Sequence, residues 1–273
     1  MRTPTVDRAA EWEVHARPAE GCDHGLVRYV AIGDSFTEGV GDERPDGSAR
    51  GWADLVAAGL AAARPEGIAY ANLAVRGRLL EPIVTEQLEA ALALDPAPTL
   101  LTLNGGGNDM LRPKADVEHL AALVERAVRR CAASGVRIVL LSGADPSAQL
   151  PFGRTVHARA ALLTERVRAL ADAHGVELVD VFGDQEIRRP GYWSPDRLHL
   201  NTHGHARAAA LVLAALGEAT AADAVSPAAP RRGLTTELRY YREHVLPWVG
   251  RRLRHRSSGD GRSGKAVAWT VLP

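Results

Sequence analysis

The sequence predicts an α/β fold, a three-layer sandwich with a five-stranded parallel sheet as its middle layer, on three observations. Five short apolar runs recur between residues 28 and 181. Stretches with apolar residues at helical spacing separate them, so strands and helices alternate. Each of the first three runs ends in a cluster of Gly, Asn, Asp or Ser, or in a small residue ahead of Gly, the turn chemistry of a strand that hands over to a helix.

Residues 1–27 show no sustained period and read as an N-terminal extension. The first strand, residues 28–32, stops at Gly33-Asp34-Ser35, and glycines at 33 and 39 let the chain turn sharply on both sides of the serine. A loop rich in Gly, Asp and Pro (41–51) leads to an Ala/Leu helix at 52–63 and a second strand at 68–73, which ends at Ala74-Val75-Arg76-Gly77. Residues 79–94 are helical, with Leu80, Ile83, Val84, Gln87, Leu88 and Ala91 near one face. The third strand, 99–103, runs into Asn104-Gly105-Gly106-Gly107-Asn108-Asp109. A long amphipathic helix at 115–133 stops at Ser134-Gly135, and a fourth strand, apolar but for Arg137, follows at 136–141. Helix 155–173, strand 176–181 and helix 202–216 complete a domain spanning 28–222. Right-handed crossovers place helices on both faces of the sheet. Five strands rather than six favour the flavodoxin-like order 2-1-3-4-5 over a Rossmann order. Residues 223–273 read as a Pro/Ala-rich linker, an amphipathic helix over 234–248 and a basic, mobile tail.

Composition narrows the function classes. The 273 residues carry 33 bases and 33 acids, so no global field favours nucleic acid or a membrane. The charge is nevertheless divided: ten bases and three acids lie from Arg231 onward, leaving 23 bases and 30 acids before it. The basic end is a candidate for weak contact with a membrane or an acidic protein, the simpler expectation being that it folds back on its own acidic body. Cys22 falls in the irregular arm and Cys131 in a helix, a pattern that predicts no disulfide framework. Without a signal-type apolar stretch near the start or a run of membrane-spanning length, the expected compartment is the cytoplasm.

A parallel sheet brings its strand ends to one edge, and with them Ser35, Gly77 and Asn108, together with Asp196 and His199 from the loop after the fifth strand. A serine, a histidine, an acid and hydrogen-bond donors at one crevice are the groups that acyl transfer needs. Ser35 Oγ is a weak nucleophile until a base takes its proton, and the His199 imidazole can take it and return it to the leaving group. Asp196, three residues before His199, would hold the useful tautomer. The backbone N–H of Ser35 and Gly77 and the Asn108 amide would face the developing oxyanion, each worth roughly 10²–10³ in rate.

The segments Gly33-Asp34-Ser35-Phe36-Thr37-Glu38-Gly39, Gly77, Gly106-Gly107-Asn108-Asp109 and Asp196-Arg197-Leu198-His199 resemble the four ordered blocks of the SGNH (GDSL-type) hydrolases. That resemblance covers about residues 28–216 and implies esterase, lipase, thioesterase or deacetylase chemistry on small acyl esters, without a cofactor or metal. It places Ser35, Asp196 and His199 as the triad and Ser35, Gly77 and Asn108 as the oxyanion hole. The serine lies in Gly-x-Ser-x-x-x-Gly after the first strand, which argues against the α/β-hydrolase elbow. Two other outcomes share this kit: a catalytically silent binding module on the same sheet, and an acyltransferase that passes the acyl group to an alcohol or sugar.

Competing readings are simpler. The Gly-rich run lacks the Lys-Ser/Thr of a phosphate-binding loop. His199, His203 and His205 with Asp196 suggest a metal site, but Asn201-Thr202 opening a helix explains that segment. Asp34 and Asp109 are expected to fix loops through backbone hydrogen bonds. Loops 42–50, 144–154 and 187–193 are expected to line the pocket, with Phe152, Tyr192 and Trp193 as an apolar wall.

Overall fold

The computed structural model describes residues 26–150, 153–218, 227–228, 242–243 and 259–273. Cys22, Phe152, the arm before residue 26, most of the 234–248 segment and the basic run 251–258 lie outside the described residues.

The elements in chain order are β1 (Val27–Ile32), α1 (Ser35–Glu38), α2 (Trp52–Ala62), β2 (Ile68–Asn72), α3 (Leu80–Pro82), α4 (Leu88–Leu92), β3 (Leu100–Asn104), α5 (Gly107–Met110), α6 (Val117–Ala133), β4 (Arg137–Leu141), α7 (Gly153–His174), β5 (Glu177–Val179), α8 (Thr202–Ala215) and β6 (Ala266–Leu272). The sheet order is β5-β4-β3-β1-β2-β6. Its first five strands are parallel and follow the expected order 2-1-3-4-5. The sixth is a correction: residues 266–272 were expected in a mobile tail, yet they pair antiparallel with β2, with Ile68 opposite Leu272 and Asn72 opposite Ala266. The run Ala266-Val-Ala-Trp-Thr-Val-Leu272 has strand-forming composition, and β2 offers it an otherwise unpaired edge.

Apolar alternation sends β1 side chains to both faces. Val30 and Ile32 join Leu80, Ile83, Leu101, Leu120, Val124 and Leu163 in a core under α3, α4, α6 and α7. Tyr29 and Ala31 join Trp52, Val56, Leu60, Val139 and Val212 in a second core under α2 and α8. Each fully buried Val, Leu or Ile contributes about 1.5–3 kcal/mol. At Gly59 a Cβ would stand 2.7 Å from Leu213, so the glycine lets α2 and α8 approach closely. β1 has β2 on one side and β3 on the other, so the chain leaves β1 and β3 towards opposite faces. That divergence opens a crevice at the carboxyl ends of the strands.

The helix expected over 79–94 forms in pieces: a π-helical turn, Ile83–Gln87, joins α3 to α4. The wider turn has a use. Gln87 Oε1 accepts from the Gly33 N–H at 2.8 Å and its Nε2 donates to the Gly33 carbonyl at 3.0 Å. A glutamine on an apolar helix face thus grips the residue where β1 gives way to the serine turn.

Candidate active site

Ser35 is the first residue of α1, and helical geometry leaves its N–H without an intrahelical partner. Asp34 caps this short helix through the Phe36 N–H at 3.0 Å, and Gly39 closes it in the left-handed conformation with φ 97°. A Cβ on Gly33 would lie 2.8 Å from the Asn104 carbonyl, so only glycine lets the turn sit this close to the end of β3.

The partner residues arrive from the far end of the domain. A bridge between Trp193 and Leu200 closes a tight loop, and within it Arg197 adopts φ 60° so that the chain doubles back between Asp196 and His199. Asp196 Oδ1 accepts from Ser194 Oγ (2.6 Å), Leu198 N–H (2.9 Å) and His199 N–H (3.0 Å). Its Oδ2 faces His199 Nδ1 at 2.6 Å, and His199 Nε2 lies 3.0 Å from Ser35 Oγ. Burial of Asp196 works against ionisation, but the hydrogen bond and charge of His199, with the Ser194 hydroxyl, hold the carboxyl well below the usual carboxylate range. An ionised Asp196 fixes the proton on Nδ1 and leaves Nε2 as acceptor for the serine hydroxyl.

Asn108, in α5, donates through Nδ2 to Asp34 Oδ2 (3.1 Å) and to the Arg78 carbonyl (3.0 Å). Burial pushes the Asp34 carboxyl up to about 6, against the opposing pull of the Phe36 N–H and His199. Asp109 Oδ2 accepts from the Leu80 N–H at 3.1 Å, which fixes the start of α3. Gly77 turns with φ 77° between Arg76 and Arg78. Its loop is tied to the serine turn because Glu38, at the end of α1, accepts from the Arg76 N–H (2.6 Å) and Nε (2.8 Å). Gln87, Glu38 and Arg76 were not anticipated as supports. Gln87 stood out only as a polar residue on an apolar helix face, and nothing in the sequence marks Arg76.

The three histidines go separate ways. His203 is exposed in the first turn of α8, where Asn201 caps the His203 and Gly204 N–H groups. His205 is fully buried, accepting from the Trp52 N–H at Nδ1 (3.1 Å) and donating from Nε2 to the Val40 carbonyl (3.2 Å). Among the described residues no group of three or more His, Cys, Asp or Glu is arranged to hold a metal ion. Burial lowers the His205 pKa from 6.5 to about 4, so the unfolded chain takes up this proton before the folded one does. The stability it confers is complete above pH 6.5 and is lost as the pH falls towards 4, up to about 3 kcal/mol. Asp34 acts in the opposite sense, its raised pKa adding stability as the pH falls through about 6. His205→Gln keeps an acceptor and a donor but does not titrate. Its denaturant midpoint therefore falls less than the wild-type midpoint between pH 6.5 and 4, as urea unfolding at stepped pH would show.

Ser35, Asn108 and His199 line an apolar cavity of about 140 Å³. Leu103 and Leu140 of the sheet line it together with Val156, Ala160, Leu163 and Val167 from the inner face of α7, which packs on the same side of the sheet. The expected lining is partly corrected. Residues 42–50 do not reach the cavity, and Asp42 instead binds Arg50, the Gly51 N–H and Thr202 Oγ, tying the serine loop to α8. Ala144 and Pro146 line it as expected, but of 187–193 only Trp193 does, while Tyr192 turns its hydroxyl to Glu186. Phe182 and the α7 wall were not foreseen, because periodicity shows which face of a helix turns inward but not how far it stands from the sheet.

A model of the GDSL-like lipase/acylhydrolase family matches residues 31–207. The chain belongs to that family. The GDSL-like region therefore runs from the end of β1 to the first turns of α8 and leaves β6 outside. Solved structures share its α/β fold. LAE5, an α/β hydrolase from the metagenome of Lake Arreo, is 24% identical with TM-score 0.58, over 70% of this chain and 95% of its own. A catalytic mutant of the acetylxylan esterase Axe2 from Geobacillus stearothermophilus is 20% identical with TM-score 0.58, over 71% and 95%. TesA is 23% identical with TM-score 0.54, over 69% and 97%. Comparison with curated proteins returned no match. Among the described residues no helix is long and apolar enough to cross a membrane.

Proposed function

We propose that this GDSL-like hydrolase cleaves carboxylic acyl esters through an acyl-enzyme intermediate, with Ser35, His199 and Asp196 as its triad. The observation that carries this reading is the unbroken hydrogen-bonded line from Asp196 through His199 to Ser35 Oγ, in the lining of an apolar cavity. His199 Nε2 takes the hydroxyl proton as Oγ attacks the ester carbonyl, and Asp196 stabilises the imidazolium. The tetrahedral oxygen draws on the Ser35 and Gly77 N–H groups and on Asn108. Asp34 holds one N–H of the Asn108 amide in place, and the other, given to the Arg78 carbonyl in the free enzyme, is shared with the oxyanion. The imidazolium then protonates the leaving alcohol. Water, activated by the same imidazole, releases the acid and restores Ser35.

The acyl chain lies in the cavity against α7. A cavity of about 150 Å³ holds benzene, so this one suits about four to six carbons. Each buried methylene adds about 0.8 kcal/mol. For p-nitrophenyl esters we expect kcat/KM to rise roughly fourfold per methylene from acetate, then to level off at hexanoate. A profile that peaks at acetate and declines at butyrate would contradict the acyl placement. Turnover of none of these esters would contradict the function itself.

A further inference from the structure

The C-terminal segment lies outside the region matched to the family, yet it reaches the supports of Ser35 and Gly77. Beyond residue 258 the chain passes over the loop that leads to Gly77. A Cβ on Gly259 would stand 2.0 Å from the Arg76 carbonyl, and one on Gly264 would stand 2.6 Å from Leu73 Cα. Contact this close is possible only because both residues are glycine. The chain then turns into β6 and pairs along β2, the strand that delivers the Gly77 loop.

Between these contacts stands Lys265. Its Nζ donates to the Glu38 carbonyl at 2.7 Å and the Ala49 carbonyl at 3.1 Å, and it also meets the Arg50 carbonyl and the Asp54 carboxylate. Those acceptors belong to three places: the last residue of the serine helix α1, the loop entering α2, and the first turn of α2. Their convergence follows from Gly39 and Gly51, where the two strands of that loop cross so tightly that a Cβ on Gly51 would lie 2.3 Å from Gly39 Cα. Carbonyl oxygens turned to one point need a donor, and an ammonium carries three protons and no acceptor. Glu38 is therefore held twice, its carbonyl by Lys265 and its carboxylate by Arg76, next to Gly77.

We propose that residues 259–272 form a strap that holds the Ser35 turn and the Gly77 loop in fixed register, with Lys265 as its pin and as a positioning residue for the oxyanion hole. The catalytic half of this inference rests on the function proposed above. The mechanical half does not. Lys265 is 21% exposed at the side chain and touches none of the reacting groups, so it acts by fixing where Ser35 and Gly77 stand. Displacement of about 1 Å at such a site costs up to about 10²-fold in rate.

The test uses the full chain with Lys265→Met, which keeps the apolar stem and removes the ammonium. The double variant Lys265→Met/Asp54→Asn also removes the carboxylate left behind. With p-nitrophenyl butyrate, both are expected to lose roughly tenfold or more in kcat with KM within about threefold. Amide hydrogen exchange is expected to quicken at residues 33–40 and 73–78 while β3 and β4 keep their protection. Unchanged exchange in those two segments overturns the strap. Quickened exchange with kcat within about twofold of wild type overturns the positioning role. A wild-type protein that cleaves no ester overturns the function and leaves the exchange result to decide the strap.

Discussion

Ser35→Ala is expected to lower kcat on p-nitrophenyl butyrate by about 10⁴- to 10⁶-fold while leaving the melting temperature within about 2 °C of wild type. The substitution removes one oxygen, whose partner is His199 Nε2 at 3.0 Å, and leaves the capping of α1 by Asp34 and Gly39 intact. Without Oγ no acyl-enzyme forms, and the residual rate is what the oxyanion donors and the cavity give to direct attack by water. Intact-mass measurement after exposure to a fluorophosphonate separates this from a silent binding module. Wild type gains one adduct and Ser35→Ala gains none, whereas a binding module labels in neither form. Turnover retained in Ser35→Ala would end the assignment.

Asp196→Asn is expected to cost about 10⁴-fold in kcat with little change in KM. The direction follows from how the carboxylate is held. Three donors, Ser194 Oγ and the Leu198 and His199 N–H groups, converge on Oδ1. An asparagine must keep its oxygen there, so its NH₂ faces His199 Nδ1. That nitrogen then becomes the acceptor, the proton moves to Nε2, and the imidazole offers Ser35 a donor where it needs an acceptor. The overall loop is retained because its three bonds survive. The check is a pH–rate profile with kcat and KM measured separately. An Asp196→Asn enzyme within tenfold of wild type would show that Asp196 only positions the loop and does not set the tautomer.

Much of this architecture was legible in the chain. Residues 28–32, 68–73, 99–103 and 136–141 read as strands because a buried parallel strand is a contiguous apolar run, and the observed strands match within a residue or two. Ser35, Asp196, His199 and Asn108 were legible as candidates because each lies in a turn whose composition is itself local. Gln87 and Glu38 were visible as residues but not as supports, since their partners, Gly33 and Arg76, are 54 and 38 positions away. The seven residues of β6 were hidden by the basic run before them. Whether such a run is a strand depends on the edge it meets, and β2 lies almost two hundred residues earlier.

By itself the sequence determined the elements from β1 to α8, the order of the five parallel strands and the candidate residues for chemistry, because periodicity and turn chemistry are properties of neighbours along the chain. Tertiary structure alone decided that His199 meets Ser35 across 164 positions, that α7 stands off the sheet far enough to leave a cavity, and that Lys265 closes over the serine turn. Those are matters of distance between packed layers, and packing depends on every side chain in a layer at once.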